Sequence, residues 1–362
     1  MIKKFDEVFV DKTRLGKKIP KEEYKKKGKY IIIDQGKDKI AGFTDNEYGI
    51  FTDVPTIIFG DHTRIIKYID KPFFLGADGV KVLKSKINNA NYKYLYYALK
   101  AAYIPNTGYN RHFKWLKKVS INYPSFEKQK RIVKLLDNLS EVKNKKNEEL
   151  KLCDTLIKAR FVEMFGDLKF DTPVSKYIES LTAGKSLAGK EKCTNKVLNT
   201  GAVSYDKFKN DYKYLPSNYV PDENNKVRTG NVLISRMNTQ ELVGATAYVW
   251  EAPENTYLPD RLWRANLKEN VNSIFLWQVL IHPLLKLQIQ RVSSGTSGSM
   301  KNISKSNFLK LKVPDVNEES QNKFASFVQQ VDKSKVVNVS IMKYIISIRF
   351  YLYFKENKEG AR

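Results

Sequence analysis

The chain has 362 residues, 64 Lys plus Arg against 39 Asp plus Glu, and a formal net charge of +25. At 42% apolar and 12% aromatic residues it has ample material for packed cores, which excludes a disordered basic protein, and its length suggests two domains. The charge points to polyanionic partners, nucleic acid first and anionic membrane second. Cys153 and Cys193 are the two cysteines, so there is no disulfide framework, and with His62, His112 and His282 they give no zinc-ligand spacing.

Taken in chain order, Met1 to Asp6 has no apolar core behind it and does not read as a signal peptide. Strand-type runs follow at Tyr30–Asp34, Thr56–Phe59, Ile65–Ile69 and Val80–Leu83, separated by Gly and Asp turns. A Tyr- and Leu-rich helix is expected from Tyr92 to Ala102. From Glu127 to Phe165 there is no Gly or Pro and apolar residues recur at helical spacing; these 39 residues would span about 58 Å. The second half repeats the order, with strands at Val232–Ser235 and Ala245–Trp250 and a helix from about Ser273 to Leu287 with Pro283 inside it. The apolar window Phe275 to Ile289 is interrupted by His282, Pro283 and Lys286 and is too short for a membrane span, so a soluble, cytoplasmic protein is expected.

The two halves align. From Gly108 to Gly298 is 190 positions, as is Pro124 to Pro314, and from Gln129 to Gln321 is 192. The helical seam Leu136, Leu139, Lys143, Lys146, Leu150, Cys153 meets Val328, Val331, Lys335, Asn338, Met342, Ile345 at the same offset of 192. Both series place polar residues at the same heptad steps, which predicts two long helices packed on each other. A compact region of about 150 residues has a radius of gyration of ~15 Å and could not reach back along a parallel pair, so the pair should be antiparallel. A separation of about 58 Å corresponds to about 17 base pairs of duplex.

Catalytic motifs are missing. Gly184-Lys185-Ser186 lacks the earlier glycine of a phosphate loop, since position 179 is Glu. No Pro-Pro occurs, which removes the tetrapeptide with which amino-methyltransferases hold a flipped base. Pro221-Asp222, Pro259-Asp260 and Pro314-Asp315 lack the acid-x-Lys of a metal nuclease, and His112 is expected at the surface or facing DNA rather than as a general base. Binding remains. Side chains that can contact bases or phosphates concentrate at His62 and Arg64; at Tyr109, Asn110, Arg111 and Lys114; at Arg236 and Asn238; at Arg261 and Arg264; and at Ser299, Lys301 and Asn302. Trp115 and Trp263, within these stretches, are expected to be buried.

Several stretches resemble the specificity (S) subunits of type I restriction–modification systems. They are Tyr30–Gly36 running to Ile40–Thr44, Ile57–Arg64 with Leu75–Val80, Pro124–Gln129 running through to Phe161–Asp167, Gly230–Arg236 and Gly298–Ser304. The resemblance spans nearly the whole chain and departs from the pattern at Arg349, where the first helix has Ile157. It implies an α+β architecture of two mixed α/β target-recognition domains in pseudo-twofold repeat, each followed by a spacer helix, the helices forming an antiparallel coiled coil. The boundaries would be 1–126, 127–166, 167–316 and 317–356, with a tail at 357–362. Each domain would read one half of a split, asymmetric double-stranded DNA site. The chain itself would be non-catalytic and without cofactor or metal. The helices would dock two methyltransferase subunits, which would hold S-adenosylmethionine, and ATP would belong to restriction subunits joining that core. A stand-alone nucleic-acid-binding scaffold, with RNA as a possible ligand, and an unrecognised nuclease or methyltransferase are the alternatives.

Overall fold

The computed structural model describes residues 1–76, 78–295 and 300–358, with side chains throughout except at 337 and 342–358. It divides into two compact units: Met1–Glu148 with the chain from Asn338 onward, and Glu149–Val337.

In the first unit Phe9–Asp11, Val80–Ser85, Thr56–Gly60 and Ile66–Ile69 form a four-stranded antiparallel sheet in that spatial order. A second sheet has Tyr30–Ile33 in the middle, antiparallel to Gly42–Thr44 and parallel to Phe73–Leu75. Strand side chains alternate between faces, and the central strand shows the consequence. Ile57 and Phe59 pack under the helix Tyr92–Ala101 with Tyr94, Leu95 and Leu99, whereas Ile58 turns the other way to Ile33, Phe73 and Val82. Buried on both faces, the strand reads as a continuous apolar run. Asn91 caps the helix by accepting from Tyr94 N at 3.0 Å.

The second unit uses the same wiring. Ile178–Thr182, Leu262–Leu267, Val232–Ser235 and Thr246–Tyr248 form an antiparallel sheet of the same order. Lys196–Leu198 is antiparallel to Tyr212–Tyr214 and parallel to Thr256–Tyr257. Val232 and Ile234 face the helix layer, and Leu233 faces the second sheet. Instead of one helix through Pro283 there are two, Ser273–Leu280 and Pro283–Val292. Proline lacks the N–H that would continue the first helix, and at the first position of the second it costs nothing.

Each globular region closes on itself. Ile2–Lys4 pairs with Ser120–Asn122, and Phe170–Pro173 pairs with Lys312–Pro314. The long helices, Phe126–Phe165 and Glu318–Lys358, leave from these closures. Each opens with a buried glutamine whose amide N–H donates to a carbonyl just before the helix: Gln129 to Pro124 O and Gln321 to Val316 O, both at 2.9 Å. Within the second unit the end of the first helix meets the start of the second. Asp154 pairs with Lys335 at 2.6 Å, the Arg160 guanidinium lies over the Phe327 ring, and Phe161 and Phe165 both touch the fully buried Phe324. Higher numbers on one helix meet lower numbers on the other, so these segments run antiparallel. Cys153, Val328 and Val331 join this core. On the first helix Leu136 is buried and Leu139 half-buried in the first unit, and Leu150 is half-buried in the second. The side chains of Met342, Ile345 and Arg349 lie outside the described residues. Among the described residues no helix is long and apolar enough to cross a membrane.

Candidate nucleic-acid interface

Three connections in each unit are drawn together: the turn after the central strand, the loop entering the last sheet strand, and the loop after the helix layer. In the first unit Asp61 N donates to Gly79 O at 2.6 Å and His112 N donates to Asp61 O at 2.8 Å. In the second, Arg236 N donates to Arg261 O and Ile303 N donates to Arg236 O, both at 3.1 Å. These are the same bonds at equivalent places, because sheet register sets Gly60 opposite Val80 and Ser235 opposite Leu262. The next residues along must meet.

The side chains on this common clasp differ. In the first unit the clasp is sealed. Asp61 is buried and its carboxylate accepts from Phe113 N at 2.7 Å. His112 is fully buried, with Nδ1 3.0 Å from Asp61 O and Nε2 3.4 Å from Thr107 N. That corrects the sequence expectation of a surface or DNA-facing His112: its neighbours across the clasp enclose it. Tyr109, Asn110, Arg111 and Lys114 are exposed around it, and His62 stacks on Tyr109 at 5.0 Å. Gln35 ties in the turn, accepting from His62 N and from the Thr63 hydroxyl. Arg64 adopts a left-handed backbone, φ 61°, and its guanidinium donates to Ile104 O at 3.1 Å, so part of its donor capacity is spent inside the unit. The Lys18 hydrogen bond above all, with help from Arg111 and His62, holds the nearby Asp78 carboxyl below the usual range. Trp115 is half-buried rather than buried, with Lys114 and Lys118 over its ring.

In the second unit the centre of the clasp carries a cation. Arg236 lies 5.8 Å over the buried Trp263 ring, and Met237–Asn238 pairs with Lys301–Asn302. Arg236, Asn238, Arg261, Lys301 and Asn302 therefore gather at one place. Among the described residues, Arg236 Nε and Asn302 Oδ1 are buried without a hydrogen-bond partner, a donor and an acceptor held out of water. Arg264 is not part of this group. It lies on the opposite face of its strand from Trp263 and bonds Asn266 at 3.1 Å. Burial first, then the like charge of Arg228, makes its proton easier to lose than usual. Ser299 lies outside the described residues. Sequence reasoning found the loops but missed Asp61, Gln35 and Gly79, because their roles come from register and backbone contacts.

Two modules of one mixed α/β wiring thus each present polar loops on a shared clasp, in a chain of net charge +25. Residues 1–152 match the model of the type I restriction modification DNA specificity domain. The type I restriction–modification S subunit from M. genitalium superimposes with a TM-score of 0.61 at 17% identity, over 97% of this chain and 94% of that one. The chain therefore shares the fold of that S subunit over nearly its whole length. The HsdS subunit from Thermoanaerobacter tengcongensis matches at a TM-score of 0.37 and 14% identity, over 90% of this chain and 89% of that one. A structure of the type I R-M system, solved for its complex assembly and conformational transition, matches at 0.49 and 15%, over 91% of each. No curated protein matches the chain by sequence.

Proposed function

We propose that this chain is the DNA-specificity subunit of a type I restriction–modification complex, and that each module reads one half of a split, asymmetric site. The observation that carries the reading is the shared clasp: one backbone arrangement, built twice, with Asp61 and His112 in one copy and Arg236 and Ile303 in the other. Equal frames with unequal reading loops suit two different half-sites. The exposed Arg111 and Asn110 in the first module, and Arg236, Asn238, Lys301 and Asn302 in the second, can pair with base edges, while surrounding lysines hold phosphates.

The long helices act as a spacer. Their whole-length antiparallel pairing in a pseudo-twofold arrangement extends the contacts of Asp154 with Lys335 and of Phe161 with Phe324. Leu136, Leu139 and Leu150 would face the segment carrying Met342 and Ile345. The chain is non-catalytic and works in the cytoplasm. Two methyltransferase subunits dock on the helices and hold S-adenosylmethionine, and restriction subunits with ATP join that core. The test is the adenine methylation pattern of cells expressing this chain with a modification subunit. A two-part site with a fixed gap is expected, whereas a continuous site, or no change when the chain is omitted, overturns the reading.

A further inference from the structure

The two modules differ beside the reading turn, between the helix layer and the free edge of the four-stranded sheet. In the second module this place is filled. Trp277 donates its Nε1 hydrogen to Thr246 O at 3.2 Å, and Tyr248 and Trp250 pack around it. Asp206, from the Val203–Phe208 hairpin, accepts from Thr246 N at 3.0 Å and pairs with Lys286 at 2.5 Å. In the first module no such hairpin covers the edge strand Ile66–Ile69 among the described residues. A groove of about 740 Å³ opens there, lined by the edge strand, the helix Tyr92–Ala101 and the turn at Thr63 and Arg64.

The lining is cationic and phenolic: Lys37, Lys39, Lys93 and Lys100 with Tyr68 and Tyr96. Its single carboxylate, Asp137, is paired with Lys93 at 2.6 Å and accepts a hydrogen bond from the Tyr97 hydroxyl at 2.6 Å. Lys67, also in the wall, is spent on Asp34 and Asp38 carbonyls. Lys37 and Lys39 are exposed and have no ion-pair partner among the described residues. Lys100 is exposed and, among the described residues, bonds the Tyr96 hydroxyl alone, at 2.9 Å. Exposed lysines without ion-pair partners beside phenol hydroxyls, around a partly apolar floor of Ile65, Ile66, Leu99 and Ile104, suit phosphate oxygens and the sugar faces between them.

We infer that this groove holds the sugar–phosphate backbone of DNA flanking the half-site read by the first module, a contact that is independent of sequence and absent from the second module. The inference rests on the proposed DNA-reading function and adds one strand's path and its residues. Thr63 and Arg64 belong to both groove and reading turn, so the backbone can run from one into the other.

The experiment measures binding of the full-length chain to a duplex carrying its mapped site and to an equally long duplex without it, from 50 to 200 mM salt. The triple variant Lys37→Ala, Lys39→Ala, Lys100→Ala is compared with Lys21→Ala, Lys26→Ala, Lys27→Ala, which removes the same charge from exposed positions outside the groove. Loss of three phosphate contacts should lower the salt slope by about 2.7, so that wild type loses roughly 40-fold more affinity over that range than the groove variant. This should appear on both duplexes, and preference between them should not change. Lengthening the flank on the first module's side should strengthen wild type and not the groove variant. Unchanged slopes, as a groove for an acidic protein segment would give, or equal effects of the two triples, overturn the inference. Failure of wild type to distinguish the two duplexes would instead refute the specificity function, while the slopes would still judge the groove.

Discussion

The first and second modules share strand order, pairing sense and clasp, yet they spend buried polar groups differently. At the clasp the first module places an aspartate and a histidine that bond its own backbone, and its base-reading candidates sit outside on exposed positions. The second places an arginine there, over a tryptophan, with a donor and an acceptor left unpartnered. The same backbone arrangement can therefore carry either an acid and an imidazole or a guanidinium at its centre. Buried polar atoms without partners are costly unless a ligand or water meets them, and among the described residues both modules hold such atoms beside the clasp: His62 Nδ1 and Trp115 Nε1 in the first, Arg236 Nε and Asn302 Oδ1 in the second.

The sharpest break of this comparison is at the helix openings. Phe324 is fully buried against Phe161 and Phe165, whereas its counterpart 192 positions earlier, Ile132, is half-buried against the first core. Phe324→Ala should cost ~3–5 kcal/mol by chemical denaturation, and Ile132→Ala less than about 2 kcal/mol, because less surface is lost. Equal losses would mean that the two openings are packed alike.

DNA binding comes next. Arg236→Ala should weaken recognition of one half-site by ~1–3 kcal/mol, and Arg111→Ala should do so for the other half only. Binding to sites altered in one half at a time reads this directly. If both substitutions change preference in the same half, one module does not serve one half-site.

A smaller difference separates the two glutamines. Gln321 also accepts from Asn272 N at 3.0 Å, while Gln129 Oε1 is buried without a partner among the described residues. Gln321→Ala should therefore cost about 1 kcal/mol more than Gln129→Ala in the same denaturation assay. The reverse order would show that the first module's oxygen is satisfied by water.

The smallest effect is a pH dependence confined to the second module. His282 stacks with Phe161 and Phe170 and accepts from Leu284 N at 3.3 Å, capping the helix from Pro283. Burial lowers its pKa below the usual 6.5. The unfolded chain then binds the proton first, so this stability is whole above about pH 6.5 and declines as pH falls from there toward the lower folded value. His282→Asn keeps the capping acceptor and should flatten that slope in thermal unfolding between pH 7 and 5. A slope unchanged by the substitution would place the titrating group elsewhere.

Much of this frame is legible in the residues. Thr56–Phe59 and Val232–Ser235 announce central strands, and the offset of 192 between Gln129 and Gln321 marks a repeated device. What stayed hidden depends on long-range register. Nothing near Arg111 says that its neighbour His112 will be enclosed by Asp61, 51 positions earlier. The break at Pro283 needed only the rule for proline, but the groove could not be read at all. It exists because a hairpin present in one module has no counterpart in the other, and sequence alone does not show which side of a sheet an insertion will cover.

Each module is entered and left by paired strands, Ile2–Lys4 with Ser120–Asn122 and Phe170–Pro173 with Lys312–Pro314. Paired strands lie ~4.8 Å apart, so the chain exits where it came in. A module can then be exchanged for another with the same closure without altering the path of either long helix. If each module reads one half-site as proposed, an exchange at the two junctions would change that half in one step and leave the rest of the molecule as it was.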